Sequence, residues 1–171
     1  NVSVSSSAGF SVGDLVLIIQ MQGADIDLTN TAVFGTITNY NNTGNYEFAV
    51  IKSIAVNVIT FKQNLSRPYT PAPSGRVQLV RVPSFCNATV TSLITAPAWD
   101  GNMGGVIVLN VMQTLTFNPG TGVDANGLGF RGGIVSSNND AISEMNYFYP
   151  TTGCLGGGKG EGIVLIPSGF E

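Results

Sequence analysis

Apolar residues in this chain fall into short runs, and several of these runs alternate with polar residues. The most apolar run is Leu15–Gln22, and a second run, Val77–Val82, alternates until Pro83 stops it. Two more, Tyr46–Ser53 and Val56–Phe61, follow a turn-forming Asn-Asn-Thr-Gly-Asn segment and predict a hairpin. Short runs of period two that are bounded by Gly, Pro and Asn indicate β-strands rather than helices.

A glycine-rich stretch, Ala96–Gly133, continues this pattern with three still shorter runs between turns: Val106–Val111, Thr114–Phe117 and Val123–Ala125. The first begins with four aliphatic residues and predicts a strand buried on both faces. Short strands joined by tight turns are typical of sandwiches and solenoids. The predicted fold is all-β, a short-strand β-sandwich that merges into a small β-solenoid-like layer. It has little or no helix, with only Asp140–Asn146 compatible with a short one.

The chain of 171 residues is expected to form a single all-β domain over residues 1–171. Within it we expect a sandwich-like sub-module over residues 1–83 and a glycine-rich, solenoid-like sub-module over residues 84–171. Charged residues make up only 10% of the chain, against about 25% in ordinary soluble domains. Hydroxyl and amide side chains take their place, as is common in secreted all-β proteins.

Charge and residue types exclude several classes of function. The net charge is −3 and the basic residues are scattered, which argues against nucleic acid as the partner. Histidine is absent, which excludes Ser-His-Asp, Cys-His and His-zinc chemistry within this chain. We therefore expect no enzyme, no catalytic residues and no cofactor.

The two cysteines, Cys86 and Cys154, predict one disulfide formed in an oxidising compartment; the alternative is a pair of buried thiols. The longest apolar run is too short to cross a bilayer, so we expect no membrane insertion. The chain starts without Met and shows no signal peptide. It is therefore expected to be a mature or trimmed extracellular or cell-surface product.

Five segments occur in an order and spacing that resemble a known family: GDLVLIIQMQGADI, GNYEFAVI, VQLVRVPSFCNATV, TAPAWDGNMGGVIVLNV and GLGFRGG. Together with GKGEGI they are similar to the N-terminal region of large, glycine-rich secreted proteins of Bacteroidetes and other bacteria. Those proteins are often described as adhesin-like and often carry a C-terminal type IX sorting domain. The resemblance implies export, an all-β fold and a structural or adhesive role, with no catalytic residues to transfer.

Acidic residues offer two candidate sites, each with a simpler alternative. Asp25 and Asp27 lie at alternate positions of a loop and would suit calcium, but they lack the rest of an EF-hand loop, which favours a solvated turn. Asp100 and Glu47 would be a glycosidase pair only if the fold placed them across a cleft.

Aromatic and glycine-rich segments offer two more candidates. Trp99, with Tyr147 and Tyr149, would stack on a sugar if exposed; the alternative is that Trp99 plugs the end of the β core. Gly127–Gly133 lacks the spacing and the lysine of a phosphate loop. It is interpreted as a packed corner in which Arg131 bonds carbonyl groups or an acid.

Three functions follow from these observations. The first is a non-catalytic extracellular structural or adhesive module with a cell-surface or glycan partner. The second is a self-assembling fibre subunit that binds copies of itself, in which an N-terminal arm carrying Val2 and Val4 completes a neighbour's sheet. The third is a carbohydrate-binding module.

Overall fold

The computed structural model describes residues 1–133, 147 and 159–165. None of these residues is helical, so the all-β prediction is confirmed, and no helix among them is long and apolar enough to cross a membrane. The strands are β1 (Val2–Ser3), β2 (Leu15–Gln22), β3 (Asp25–Ile26), β4 (Ile37–Asn39), β5 (Tyr46–Ala55), β6 (Val58–Phe61), β7 (Arg76–Val82), β8 (Ser84–Phe85), β9 (Ala88–Val90), β10 (Asn110–Val111) and β11 (Leu115–Phe117).

Five of these strands form one antiparallel sheet in the order β1-β6-β5-β2-β7. Its inner face carries the core cluster Val16, Ile18, Ile51, Ile59 and Phe61. The N-terminal arm and the loop after β6 cover this cluster through half-buried apolar side chains. Full burial of each side chain in the core cluster stabilises the fold by about 1.5–3 kcal/mol.

The outer face of the same sheet is apolar at eight of nine aligned positions. Three rows cross β5, β2 and β7, and their members are Tyr46-Ile19-Gln78, Phe48-Leu17-Val80 and Val50-Leu15-Val82. Leu17, Gln78 and Val82 are buried, whereas Tyr46 and Phe48 are 56% and 52% exposed. The outer face is thus covered over β7 and β2 but open over β5.

The glycine-rich half forms short parallel pairs instead of an antiparallel sheet. β8 pairs with β10, β9 with β11, and Ile94 bridges to Val123. Each pairing joins residues 26 to 29 positions apart. Parallel pairing at such an interval, without crossover helices, favours the solenoid-like layer, which stays a prediction.

Two predicted strands are shorter in the structure than expected. Of Val106–Val111 only the last two residues are strand, and Val106–Leu109 is half-buried rather than buried on both faces. This segment follows a bend that is closed by a hydrogen bond from the Gly105 amide to the Pro97 carbonyl. Its pairing with β8 begins only where the Asn110 amide donates to the Pro83 carbonyl. Of Val123–Ala125 only Val123 makes a bridge. The possible helix at Asp140–Asn146 lies outside the described residues.

Candidate functional site

Three glycine-rich motifs that are far apart in sequence meet at one corner of the molecule. Arg131 from GLGFRGG donates from Nε to Oε2 of Glu161 in GKGEGI at 2.9 Å, and from Nη2 to Oε1. The Arg131 amide donates to the same Oε2 at 3.0 Å, and the Glu161 amide donates to the Arg131 carbonyl at 2.8 Å. Gly101 of the WDG motif lies against the guanidinium. Residues 101, 131 and 161 are therefore stacked at intervals of 30 positions.

Trp99 belongs to this corner and is only 3% exposed. Its ring meets Phe130 edge to face, with centroids 5.3 Å apart, and its amide donates to the Leu128 carbonyl at 2.8 Å. This burial favours the interpretation of Trp99 as a plug of the β core, because neither ring face is open to a sugar. The indole Nε1 is buried and makes no hydrogen bond of standard geometry with the described residues. The indole N–H is nevertheless near enough to Glu161 to make a small contribution to lowering the pKa of that carboxyl.

Glycine is required at this corner because backbone groups approach where a side chain would stand. A Cβ at Gly104 would lie 2.3 Å from the Ala98 carbonyl oxygen, and one at Gly105 would lie 2.7 Å from that of Leu128. Both glycines have positive φ, at 108° and 68°, which residues with a Cβ rarely adopt. The close stacking of the segments depends on these two positions.

The charges at the corner are paired and held in their ionised forms. The hydrogen bonds from Arg131 lower the pKa of Glu161 to about 2, and Glu161 in turn raises the pKa of Arg131. The amides of Met103 and Asn102 lower the pKa of Asp100, which closes a tight turn. A general acid needs a raised pKa instead, so neither Asp100 nor Glu161 is held in the protonated form that a general acid needs.

Glu47, the other half of the considered glycosidase pair, is used in a different way. It lies on the inner face of β5 and accepts hydrogen bonds from the Ser66 amide and hydroxyl, the Arg67 amide and the Tyr69 hydroxyl at 2.9–3.1 Å. Burial alone would raise the pKa of Glu47, but these hydrogen bonds outweigh it and lower the pKa. Glu47 therefore anchors the loop that covers the core.

Every described carboxylate accepts a hydrogen bond from its own chain. Beyond Asp100, Glu47 and Glu161, the acids and their donors are Asp14 with Ser11 and Arg81, Asp25 with Asn41, Asp27 with Thr29, and Asp124 with Asn126. For all four whose pKa shifts, Asp27, Glu47, Asp100 and Glu161, the direction is downward. The described acids thus serve as acceptors for turns, loops and the two ion pairs.

Asp25 was expected in a loop but lies in the short strand β3, and it borders a small cavity of about 170 Å³ that is also lined by Ala24, Ile26, Leu28, Val164 and Leu165. The Asp25 carboxylate accepts from the Asn41 amide at 2.6 Å, and that of Asp27 accepts from Thr29. Among the described residues, no three His, Cys, Asp or Glu side chains group in a way that would hold a metal ion. Calcium binding by Asp25 and Asp27 stays a prediction.

Sequence reasoning did not single out three buried glutamines, two of which join the two halves of the chain. Gln22 donates to the Gly162 carbonyl at 2.7 Å, and Gln78 exchanges two hydrogen bonds with the backbone of Gly104. Gln20 bonds Asn41 and Thr70. The sequence could have indicated these contacts, because the three glutamines stand in otherwise apolar strands and a buried side-chain amide needs hydrogen-bond partners.

The remaining predicted residues lie in three places. Val2 and Val4 pack against the core of their own chain, with Val2 opposite Ile59. Tyr147 is half-exposed and its amide donates to Asn30 at 2.7 Å, while Tyr149 lies outside the described residues. Cys86 is exposed and forms no disulfide with another described residue; its predicted partner Cys154 lies outside the described residues, so the disulfide stays a prediction.

No protein-family model matches the chain, and neither the curated proteins nor the solved structures include a significant match to it.

Proposed function

We propose that this chain is a non-catalytic module of an extracellular structural or adhesive surface protein. The observation that carries the proposal is the use of every described carboxylate as a hydrogen-bond acceptor within the chain. A carboxylate that anchors a loop or an arginine in its ionised form is not available as a general acid, and the chain has no histidine to act instead. The resemblance to exported, glycine-rich proteins supports the same conclusion.

A low content of charged residues and a predicted disulfide agree with an extracellular location. A protein with 10% charged residues depends on hydroxyl and amide groups for solubility. A bridge between Cys86 and Cys154 would close a long loop and stabilise the fold by about 4 kcal/mol in the chain-entropy model.

The location is tested by immunogold labelling of intact, unpermeabilised cells that produce the protein. Gold particles on the outer surface that disappear after protease treatment are expected, and label confined to the cell interior would overturn the proposal. The absence of catalysis is tested separately with chromogenic glycosides, esters and peptides. Turnover that is lost in a folded Glu47→Gln or Asp100→Asn variant would contradict it.

A second candidate function is a fibre subunit that exchanges its N-terminal arm. It is favoured by β1, a two-residue strand at the sheet edge that pairs only with β6 among the described strands. Because Val2 and Val4 fill a site that every copy has, the same contacts would form between copies at little cost. Negative-stain electron microscopy should then show filaments.

The matched variant for this test carries Ser3→Cys and Val58→Cys, two residues that lie opposite each other in the β1–β6 pair. Its disulfide would lock the arm to its own sheet. Filaments should be absent in the oxidised form and return after reduction, and filaments that persist in the locked form would exclude arm exchange.

A further inference from the structure

The outer face of β5 presents two aromatic rings to solvent beside two lysines. Tyr46 and Phe48 are half-exposed, and as alternate residues of one strand their side chains stand on the same face about 7 Å apart. The Lys62 amide bonds the Val50 carbonyl at 2.9 Å, so Lys62 lies opposite Val50, next to Phe48. Lys52 is exposed at the bulge between Ile51 and Ser53. We call these four residues, Tyr46, Phe48, Lys52 and Lys62, the aromatic–lysine strip.

The lysines of the strip differ from most other cations of the chain. Arg81 and Arg131 are paired with carboxylates, Arg76 bonds carbonyl groups, and Lys159 lies over the Phe34 ring. Within the described part of the chain, Lys52 and Lys62 form no ion pair. In a chain of net charge −3, two uncompensated cations beside exposed rings form a local positive surface.

Continuity with the covered part of the face shows why the rings remain bare. In the neighbouring columns Leu17 and Val82 are buried, and the glycine-rich half contacts Gln78 through Gly104. No described residue covers Tyr46 and Phe48 to the same extent, although they belong to the same rows as Ile19 and Leu17. The rings are therefore held by a rigid sheet whose neighbouring columns are packed, which gives a platform with little conformational entropy to lose on binding.

We propose that the aromatic–lysine strip binds an acidic polysaccharide, with the rings stacking on sugar faces and the lysines pairing with carboxylate or sulfate groups. This inference rests on the proposed extracellular function. Nucleic acid presents a similar combination of rings and negative charge, but its dense phosphates require more clustered cations than two lysines. Repeating sugars with one acidic group each match the charge of the strip better.

The test measures binding of the purified chain to alginate, a polyuronate, by biolayer interferometry, with neutral dextran and oligothymidylate as comparison ligands. Wild type should bind alginate and lose affinity as salt is raised, and it should not bind dextran. Phe48→Ser and the double variant Lys52→Gln/Lys62→Gln should each weaken binding about fivefold or more, as expected for contact residues at the centre of an interface.

The matched control is Phe117→Ser, which removes a 43% exposed phenylalanine from β11, outside the strip, and should leave binding unchanged. Circular dichroism and thermal unfolding confirm that each variant is folded. The proposal is overturned by absence of alginate binding, by equal binding of dextran, or by tighter binding of oligothymidylate. It is also overturned if Phe117→Ser abolishes binding while Phe48→Ser does not, or if Phe48→Ser only abolishes self-association. Immunogold labelling of cells does not depend on alginate binding. A chain that is displayed at the surface but does not bind alginate would therefore overturn only this inference, and a chain found inside the cells would overturn the proposed function.

Discussion

Replacing Gly105 by alanine tests whether close approach of backbone segments holds the glycine-rich half together. The new Cβ would stand 2.7 Å from the Leu128 carbonyl oxygen, which also accepts the amide hydrogen of Trp99. The positive φ of 68° costs an alanine about 1–2 kcal/mol. Displacement of the carbonyl weakens a hydrogen bond worth about 0.5–1.5 kcal/mol. The free energy of unfolding should therefore fall by about 1.5–3.5 kcal/mol.

Two other glycines of the same half separate the cost of the positive φ from the cost of displacing the Leu128 carbonyl. Gly120 has a positive φ of 79° but no atom within 4 Å of the place where a Cβ would stand, and Gly122 has neither constraint. Gly120→Ala should lose only the conformational part, about 1–2 kcal/mol. Gly122→Ala should be neutral or slightly stabilising, by about 0.4–1 kcal/mol, because alanine restricts the unfolded chain.

The assay is urea unfolding followed by the fluorescence of Trp99, the only tryptophan, which is buried beside the substitution and should shift to the red on unfolding. The account predicts that Gly105→Ala loses about 0.5–1.5 kcal/mol more than Gly120→Ala. Equal losses for the two variants would refute the reasoning, since conformational strain alone would then explain both.

Three further predictions concern charge, loop anchoring and the cysteines. The pKa of Glu161 falls from 4.5 to about 2 on folding, so its stabilising contribution is complete above about pH 4.5 and is lost as the pH falls towards about 2. In Glu161→Gln, the free energy of unfolding should change less than in wild type across that window, and an unchanged slope would contradict the ion pair. Glu47→Gln should cost about 0.5–1.5 kcal/mol, because the amide offers the loop one acceptor oxygen where the carboxylate offers two, and faster tryptic cleavage after Lys62 measures the release. Mass spectrometry of the non-reduced protein should find Cys86 joined to Cys154; two free thiols would contradict the disulfide.

The sequence was sufficient to predict the all-β class and the main strands, because Leu15–Gln22 and Val77–Val82 carry a local signal that the sheet reinforces. It overestimated Val106–Val111, since an aliphatic run does not reveal that two glycines turn the chain just before it. The interpretation of Arg131 as a corner residue bonded to an acid agrees with the structure. The sequence did not identify Glu161 as that acid, because the two residues are 30 positions apart and meet only in the folded chain.

The bare face over β5 lay beyond sequence reasoning for a related reason. Alternation in Tyr46–Ser53 indicates that Tyr46 and Phe48 share a face, but it does not say whether another segment covers them. Burial of Trp99 has the same character, because a single aromatic residue in a turn is compatible with either a plug or an exposed platform. Long-range cover is a property of the fold, and only the structure distinguishes these cases.

The central claim, a module that is displayed at the cell surface and binds without chemistry, is tested most directly by immunogold labelling of intact producing cells with an antibody to this chain. The account predicts gold on the outer surface that protease treatment removes. Label found only inside the cells would contradict it.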